Sequence, residues 1–214
     1  MPSKEYLFWF FGITLLFGIF FMPIQSNSSE YLRSSSLIPQ NSASSPRIIE
    51  FSDYQWFVRS SKSQLQDPGP NLFFDDNHSI RVDQNGHLHL TIRSINNSWY
   101  ASEISSILSF GHGTYEFTLN SDFESLDQNI VLGLFTYLDD LHEIYIEYAR
   151  WGDPFNNIGQ FVVQPYYNSG KIYRFNWSVT NTSSFHRFRW NSKSISFTAG
   201  IRNYSAYKAY SNWM

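Results

Sequence analysis

Glu143 and Glu147 stand four residues apart in the run Glu-Ile-Tyr-Ile-Glu. The residues between them are β-branched or aromatic, types that favour strands. In a strand, alternate side chains share a face. Glu143, Tyr145 and Glu147 are therefore expected on one face, and Ile144 and Ile146 on the other. An acid pair on a polar face, backed by an apolar one, suits a catalytic strand lining a cleft. Glycoside hydrolysis is the chemistry that most often needs such a pair. One carboxylate attacks or stabilises the sugar cation, and the other protonates the leaving oxygen. Four strand residues span roughly 13 Å, whereas retaining enzymes hold the two carboxyl groups about 5–5.5 Å apart. The side chains would have to lean together. A plain solvated strand face is the competing reading.

The chain around this run has 214 residues, net charge −3 and no cysteine. That length predicts one domain plus extra segments. The weak charge carries no polyanion signature, so nucleic acid is excluded as a partner. Lack of cysteine removes disulfides, thiol catalysis and thiolate metal sites. Aromatics are 19% of residues and charged groups only 15%. This excess favours strands and also suits sugar-stacking surfaces. His87 and His89, two apart, could share a strand face, but no supporting cluster makes them a metal site. No cofactor is implied.

Tyr6 to Ile24 is a 19-residue run without a charge, preceded by Lys4. As a helix it is just long enough to cross a bilayer core. Residues 1–25 therefore read as a transmembrane anchor or a signal peptide. Either reading exports the remainder, membrane-anchored or secreted. Residues 26–46 are Ser-rich and read as a flexible linker. N-x-S/T sequons occur at Asn27, Asn77, Asn96, Asn176, Asn181 and Asn203; glycosylation at them stays open. From residue 47 to 214 short strands alternate with turn residues. Asn85-Gly86 lies between two apolar-alternating runs, a hairpin signal. Long helical periodicity is absent. The expected fold is an all-β, antiparallel sandwich of jelly-roll type.

Taken in order, these pieces resemble glycoside hydrolase family 16, whose members are concanavalin A-like jelly rolls with a sugar cleft across a concave sheet. The resemblance runs from about Trp56 to Phe197. Glu143 to Glu147 looks like that family's E-[ILV]-D-x-E strand. Gly111 to Phe117 looks like its Y-G-x-Y-E-x-R strand, and Phe185 to Phe197 like its later H-x-Y-x-W…I-x-F pattern. Pro68 to Asn71 and Val82 to Leu90 look like its N-terminal part. The resemblance implies Glu143 as nucleophile and Glu147 as general acid/base. Tyr145 departs from it by replacing the middle Asp, which in the family helps set the proton affinities of the two acids. Ala199 to Met214 does not resemble the family's continuation, and implies a domain incomplete at its C-terminus.

Further cleft candidates come from strand alternation. Phe135 and Tyr137 share a face in the run before the acid strand, together with Gly133. Trp151 follows that strand. Gln160 and Gln164 share a face opposite Phe161 and Val163. Trp99 and Glu103 resemble a segment beside the cleft. For each, core packing or a solvated face is the alternative. The implied substrate is a β-linked polysaccharide or oligosaccharide, cleaved or transferred with retention. A non-catalytic carbohydrate-binding or structural surface domain on the same fold is the alternative, and the Tyr at 145 favours it.

Overall fold

The computed structural model describes residues 4–10, 16–21, 45–177, 183–203 and 206–213, with side chains from 45 to 177 and from 183 to 201. All regular elements among them are strands. In chain order they are β1 Lys4–Phe10, β2 Leu16–Phe21, β3 Ile48–Phe51, β4 Tyr54–Val58, β5 Leu72–Phe73, β6 Ile80–Val82, β7 Leu88–Ile95, β8 Ser98–Ser106, β9 Gly113–Leu119, β10 Ile130–Asp139, β11 His142–Ala149, β12 Gly159–Val163, β13 Ile172–Phe175, β14 Ser184–Trp190, β15 Ile195–Asn203 and β16 Ala206–Trp213. Their order is β13-β12-β11-β10-β2-β8-β7-β1-β9-β14-β15-β16, with β3 and β4 joined at β8 and β6 at β7. Nearly all pairings are antiparallel. The all-β expectation therefore holds.

Two turns make the local strand order. The Asn85-Gly86 signal marks a real hairpin: β6 pairs with β7 from Val82↔Leu88. Asp83 organises its loop by accepting hydrogen bonds from the Asn85 and His87 amides. A second hairpin, β7 to β8, turns on Asn96 and Asn97, both at positive φ (50° and 62°). That is the turn whose twist matches paired strands.

The two ends of this strand array face each other across one apolar core. Ile144 and Ile146 of β11, Leu132 and Leu134 of β10 and Phe161 of β12 bury against Phe117, Phe188 and Phe197 of β9, β14 and β15. The Phe161 and Phe197 rings stack at 5.0 Å between centroids. Against this core His186 is fully buried. Tyr148 donates its hydroxyl to His186 Nδ1 at 2.6 Å. Nε2 lies 2.8 Å from Ser184 Oγ, whose own hydroxyl points to the Leu119 carbonyl. This network assigns the neutral Nε2–H tautomer. Burial pushes the His186 pKa down to about 3.

The expected helix over residues 6–24 falls partly on residues 11–15 and 22–24, outside the described residues. The described parts of that range belong to β1 and β2. β1 pairs with β7 and β9, and β2 with β10 and β8. No helix among the described residues is long and apolar enough to cross a membrane. The Ser-rich linker, up to residue 44, also lies outside the described residues. Past Ala199 the chain continues in β15 and pairs with β16.

Gly159 shows how tightly the acid-bearing half is packed. A Cβ built there would sit 2.5 Å from the Phe175 ring. Gly159 thus lets β13 close onto β12. Gly159→Ala is expected to cost about 1–3 kcal/mol through overpacking. Thermal unfolding should show a Tm several degrees below the parent; an unchanged Tm would mean that the Phe175 ring swings away freely.

Candidate functional site

The site is built on three antiparallel neighbours, β10, β11 and β12, with β13 at the edge. Along β11 burial alternates as the period-two pattern requires. Ile144 and Ile146 enter the core, while Glu143, Tyr145 and Glu147 are half-buried on the opposite face. Cross-strand register then sets three rows on that face. Tyr137 pairs with Glu143, Phe135 with Tyr145, and Gly133 with Glu147. On the other side Glu147 pairs with Gln160, and Gln160 with Arg174. A continuous row therefore reads Arg174, Gln160, Glu147, Gly133.

Each acid has its own partner. Gln160 Nε2 donates to Glu147 Oε2. The Gln164 amide nitrogen donates to the Glu143 carbonyl at 2.9 Å, and its side chain bonds the Glu143 carboxyl. Burial is the main force on both acids. It pushes Glu143 up to about 8, helped by the charge of Glu147 and, further off, of Asp140 and Glu103. It pushes Glu147 up to about 7, against the Gln160 hydrogen bond and the Arg174 charge, which pull it down. Tyr145 lies between them. Burial, then the two carboxylates, drive its hydroxyl far above the ordinary range, so it stays a neutral donor.

The other sequence candidates divide. Gln160 is at the centre of the site, 4% exposed, and its Oε1 has no hydrogen-bond partner among the described residues. Tyr137 stands exposed at the Glu143 end, its hydroxyl donating to Asp140 at 2.8 Å. Phe135 is on the right face but is buried. With Phe73, Ala101, Val131 and Ala149 it forms a small apolar cluster against which Tyr145 and Trp151 pack. Trp151 sits in a turn, Arg150 to Asp153, with φ of 48°, followed by Gly152 at 81°. Left-handed backbone at a Trp costs on the order of 1–3 kcal/mol, and the fold holds it there.

Two candidates are not at the acid pair. Glu103 of β8 points to the same face, separated from Gly133 by Gly18 of β2. Its carboxylate is committed to Arg59 Nη1 at 2.8 Å. Burial raises its pKa against that opposing charge. Trp99 lies four residues further along β8, roughly 13 Å away, where β8 pairs with Ser94 of β7. Arg174 escaped the sequence reading. Its signal was there: in Ile172–Phe175 the apolar Tyr173 and Phe175 alternate with it, leaving Arg174 on the opposite face.

Comparison with solved structures places this architecture. It is similar to the crystal structure of a glycosyl hydrolase family protein from Mycobacterium fortuitum, with TM-score 0.53 and 16% identity over 74% of this chain and 69% of that one. It is also similar to a β-1,3-glucanase from Mycobacterium marinum, with TM-score 0.42 and 15% identity over 74% and 69%. No protein-family model and no curated protein matches the chain. The described chain has a glycoside hydrolase-like, all-β fold.

Proposed function

We propose that this is a retaining glycoside hydrolase or transglycosylase of the family 16 type, on a concanavalin A-like jelly roll, acting on a β-linked polysaccharide. The observation that carries the reading is the Glu143–Tyr145–Glu147 face. Two half-buried carboxyl groups with raised proton affinity flank a neutral hydroxyl on one open sheet face. Glu143 attacks the anomeric carbon, and Glu147 gives its proton to the leaving oxygen and later takes one from water. Tyr145 donates a hydrogen bond to the sugar or to either acid.

Catalysis needs one proton on the pair. Below about 7 both acids are protonated and no charged nucleophile exists; above about 8 both are charged and no acid remains. Activity should peak between those values and fall roughly tenfold per pH unit on either side. The productive arrangement holds that proton on Glu147 and leaves Glu143 charged. Tyr145 brings no charge between the acids, where the family pattern has an Asp.

The test is incubation of the protein with β-glucans and galactans while new reducing ends and the anomer first released are followed. Release of the retained anomer from any one polymer supports the reading. Binding without cleavage supports the second reading, a non-catalytic carbohydrate-binding domain, which Tyr145 in place of Asp favours.

A further inference from the structure

Arg174 stands on the same face as the acids, in the row that reads Arg174, Gln160, Glu147. Two strand spacings set its Cα about 10 Å from that of Glu147. Gln160, 4% exposed, fills the row between them and donates to the Glu147 carboxylate. A buried amide screens the two charges less than water would. The guanidinium is also held in place. It lies 4.9 Å over the Trp151 ring, and that ring packs against the Phe135 cluster. The Trp151 turn is closed by the Asp153 amide on the Arg150 carbonyl and the Gly152 amide on the Gln128 carbonyl. Other charged and titratable groups share this face. Glu143 and Tyr145 lie on the Glu147 strand, and Tyr137 and Asp140 at the far end of β10. Tyr166 lies in the β12–β13 turn, and Glu103 on β8. Arg59, beside Glu103, is committed to that carboxylate, to Gln66 and to the Asp67 carbonyl. Arg174 has no acid of its own among the described residues, and its charge draws Glu147 toward ionisation against burial.

We infer that Arg174 is a positioning residue for the second half of the reaction: fixed on Trp151 and acting across Gln160, it keeps Glu147 ready to serve as a charged base. The inference rests on the retaining-hydrolase reading above. Glu147 has two tasks there. As a Glu143 oxygen attacks the anomeric carbon and the glycosidic C–O bond breaks, Glu147 gives its proton to the leaving oxygen. As a water oxygen then attacks that carbon and frees the Glu143 carboxylate, Glu147 takes the proton of the water. Between the two steps Glu143 is a neutral ester. Arg174 is then the charge in line with Glu147, and an opposite charge favours the ionised carboxyl.

Rate profiles across pH for the full chain, Arg174→Gln and Arg174→Lys test this. A unit charge at about 10 Å changes the ionisation of Glu147 about twofold to tenfold. Two rates should therefore move in opposite directions in Arg174→Gln. On the alkaline side of its maximum, kcat/KM should rise by that factor, because Glu147 keeps the proton it must give. On an activated aryl glycoside, where breakdown of the intermediate limits the rate, kcat on the acid side should fall by the same factor, because the base must be charged. On the acid side kcat/KM should stay as it is, since Glu143 sets it. Arg174→Lys, which keeps the charge, should restore both rates. Profiles that do not move, or rates lowered alike at every pH in both variants, would overturn the role of Arg174 and leave the hydrolase reading standing. A change of kcat/KM on the acid side in place of the alkaline side would overturn it too, by placing the charge on the nucleophile. No hydrolysis by the parent would overturn both.

Discussion

Glu143→Gln and Glu147→Gln are each expected to lower polysaccharide hydrolysis by about 10²–10⁴-fold, and activated substrates should separate their roles. A nitrophenyl-type leaving group departs without a proton. Once Glu147 is replaced by Ala, Glu143 can still form the glycosyl-enzyme intermediate on such a substrate. Added azide then attacks that intermediate and restores turnover, giving a glycosyl azide of retained configuration. Glu143→Ala has no nucleophile, so azide attacks the substrate directly and gives the inverted azide. The environment gives this assignment a real chance to fail. Glu147 is the acid with a Gln160 donor and a nearby arginine, features that favour a charged nucleophile. An inverted product from the Glu147 variant would exchange the two roles. Unchanged activity in both Gln variants would remove the pair from catalysis.

Stability should be greatest in mildly acid solution, near pH 4.5, and fall on both sides. His186 is pushed from 6.5 down to about 3 by burial. Between those values the unfolded chain holds a proton that the folded protein does not, so folding weakens as pH falls. Glu143 and Glu147 act in the opposite sense. Their ordinary value is 4.5 and burial raises them to about 8 and about 7. Above 4.5 the folded protein holds two protons that the unfolded chain has lost, so folding weakens as pH rises. From 4.5 to 6.5 two protons oppose one, and the net slope is downward with pH. Each unmatched proton is worth about 1.4 kcal/mol per pH unit. The loss from pH 4.5 to 7.5 is on the order of 5 kcal/mol. In the double variant Glu143→Gln, Glu147→Gln the histidine contribution is opposed by that of Glu103, and stability should no longer fall between pH 4.5 and 6.5. Urea unfolding across pH checks both profiles. A parent profile that rises from pH 4.5 to 6.5 would show that the acids are not buried as described.

Strand alternation made one side of the site readable from the sequence. Period two is local: once Glu143 to Glu147 is extended, Ile144 and Ile146 must face away from the acids. The same rule placed Gln160 opposite Phe161 and marked the strands GTYEFTL and IVLGLFTYL, which became β9 and the start of β10. What alternation cannot supply is a neighbour. Gln160 meets Glu147, and Arg174 extends that row, only because β11, β12 and β13 pair in one register. That register comes from contacts between distant residues, such as Phe175 closing over Gly159. Glu103 looked like a ligand-binding acid until the fold brought Arg59, 44 residues away, to its carboxylate. Phe135 looked like a cleft wall until Phe73, Ala101 and Val131 closed around it. His186 stood in the sequence only as the His of the Phe185 to Phe197 pattern, and burial between Tyr148 and Ser184 made it a neutral core residue. Which face a side chain takes follows from its own strand; what it can do there depends on partners that only the folded sheet brings within reach.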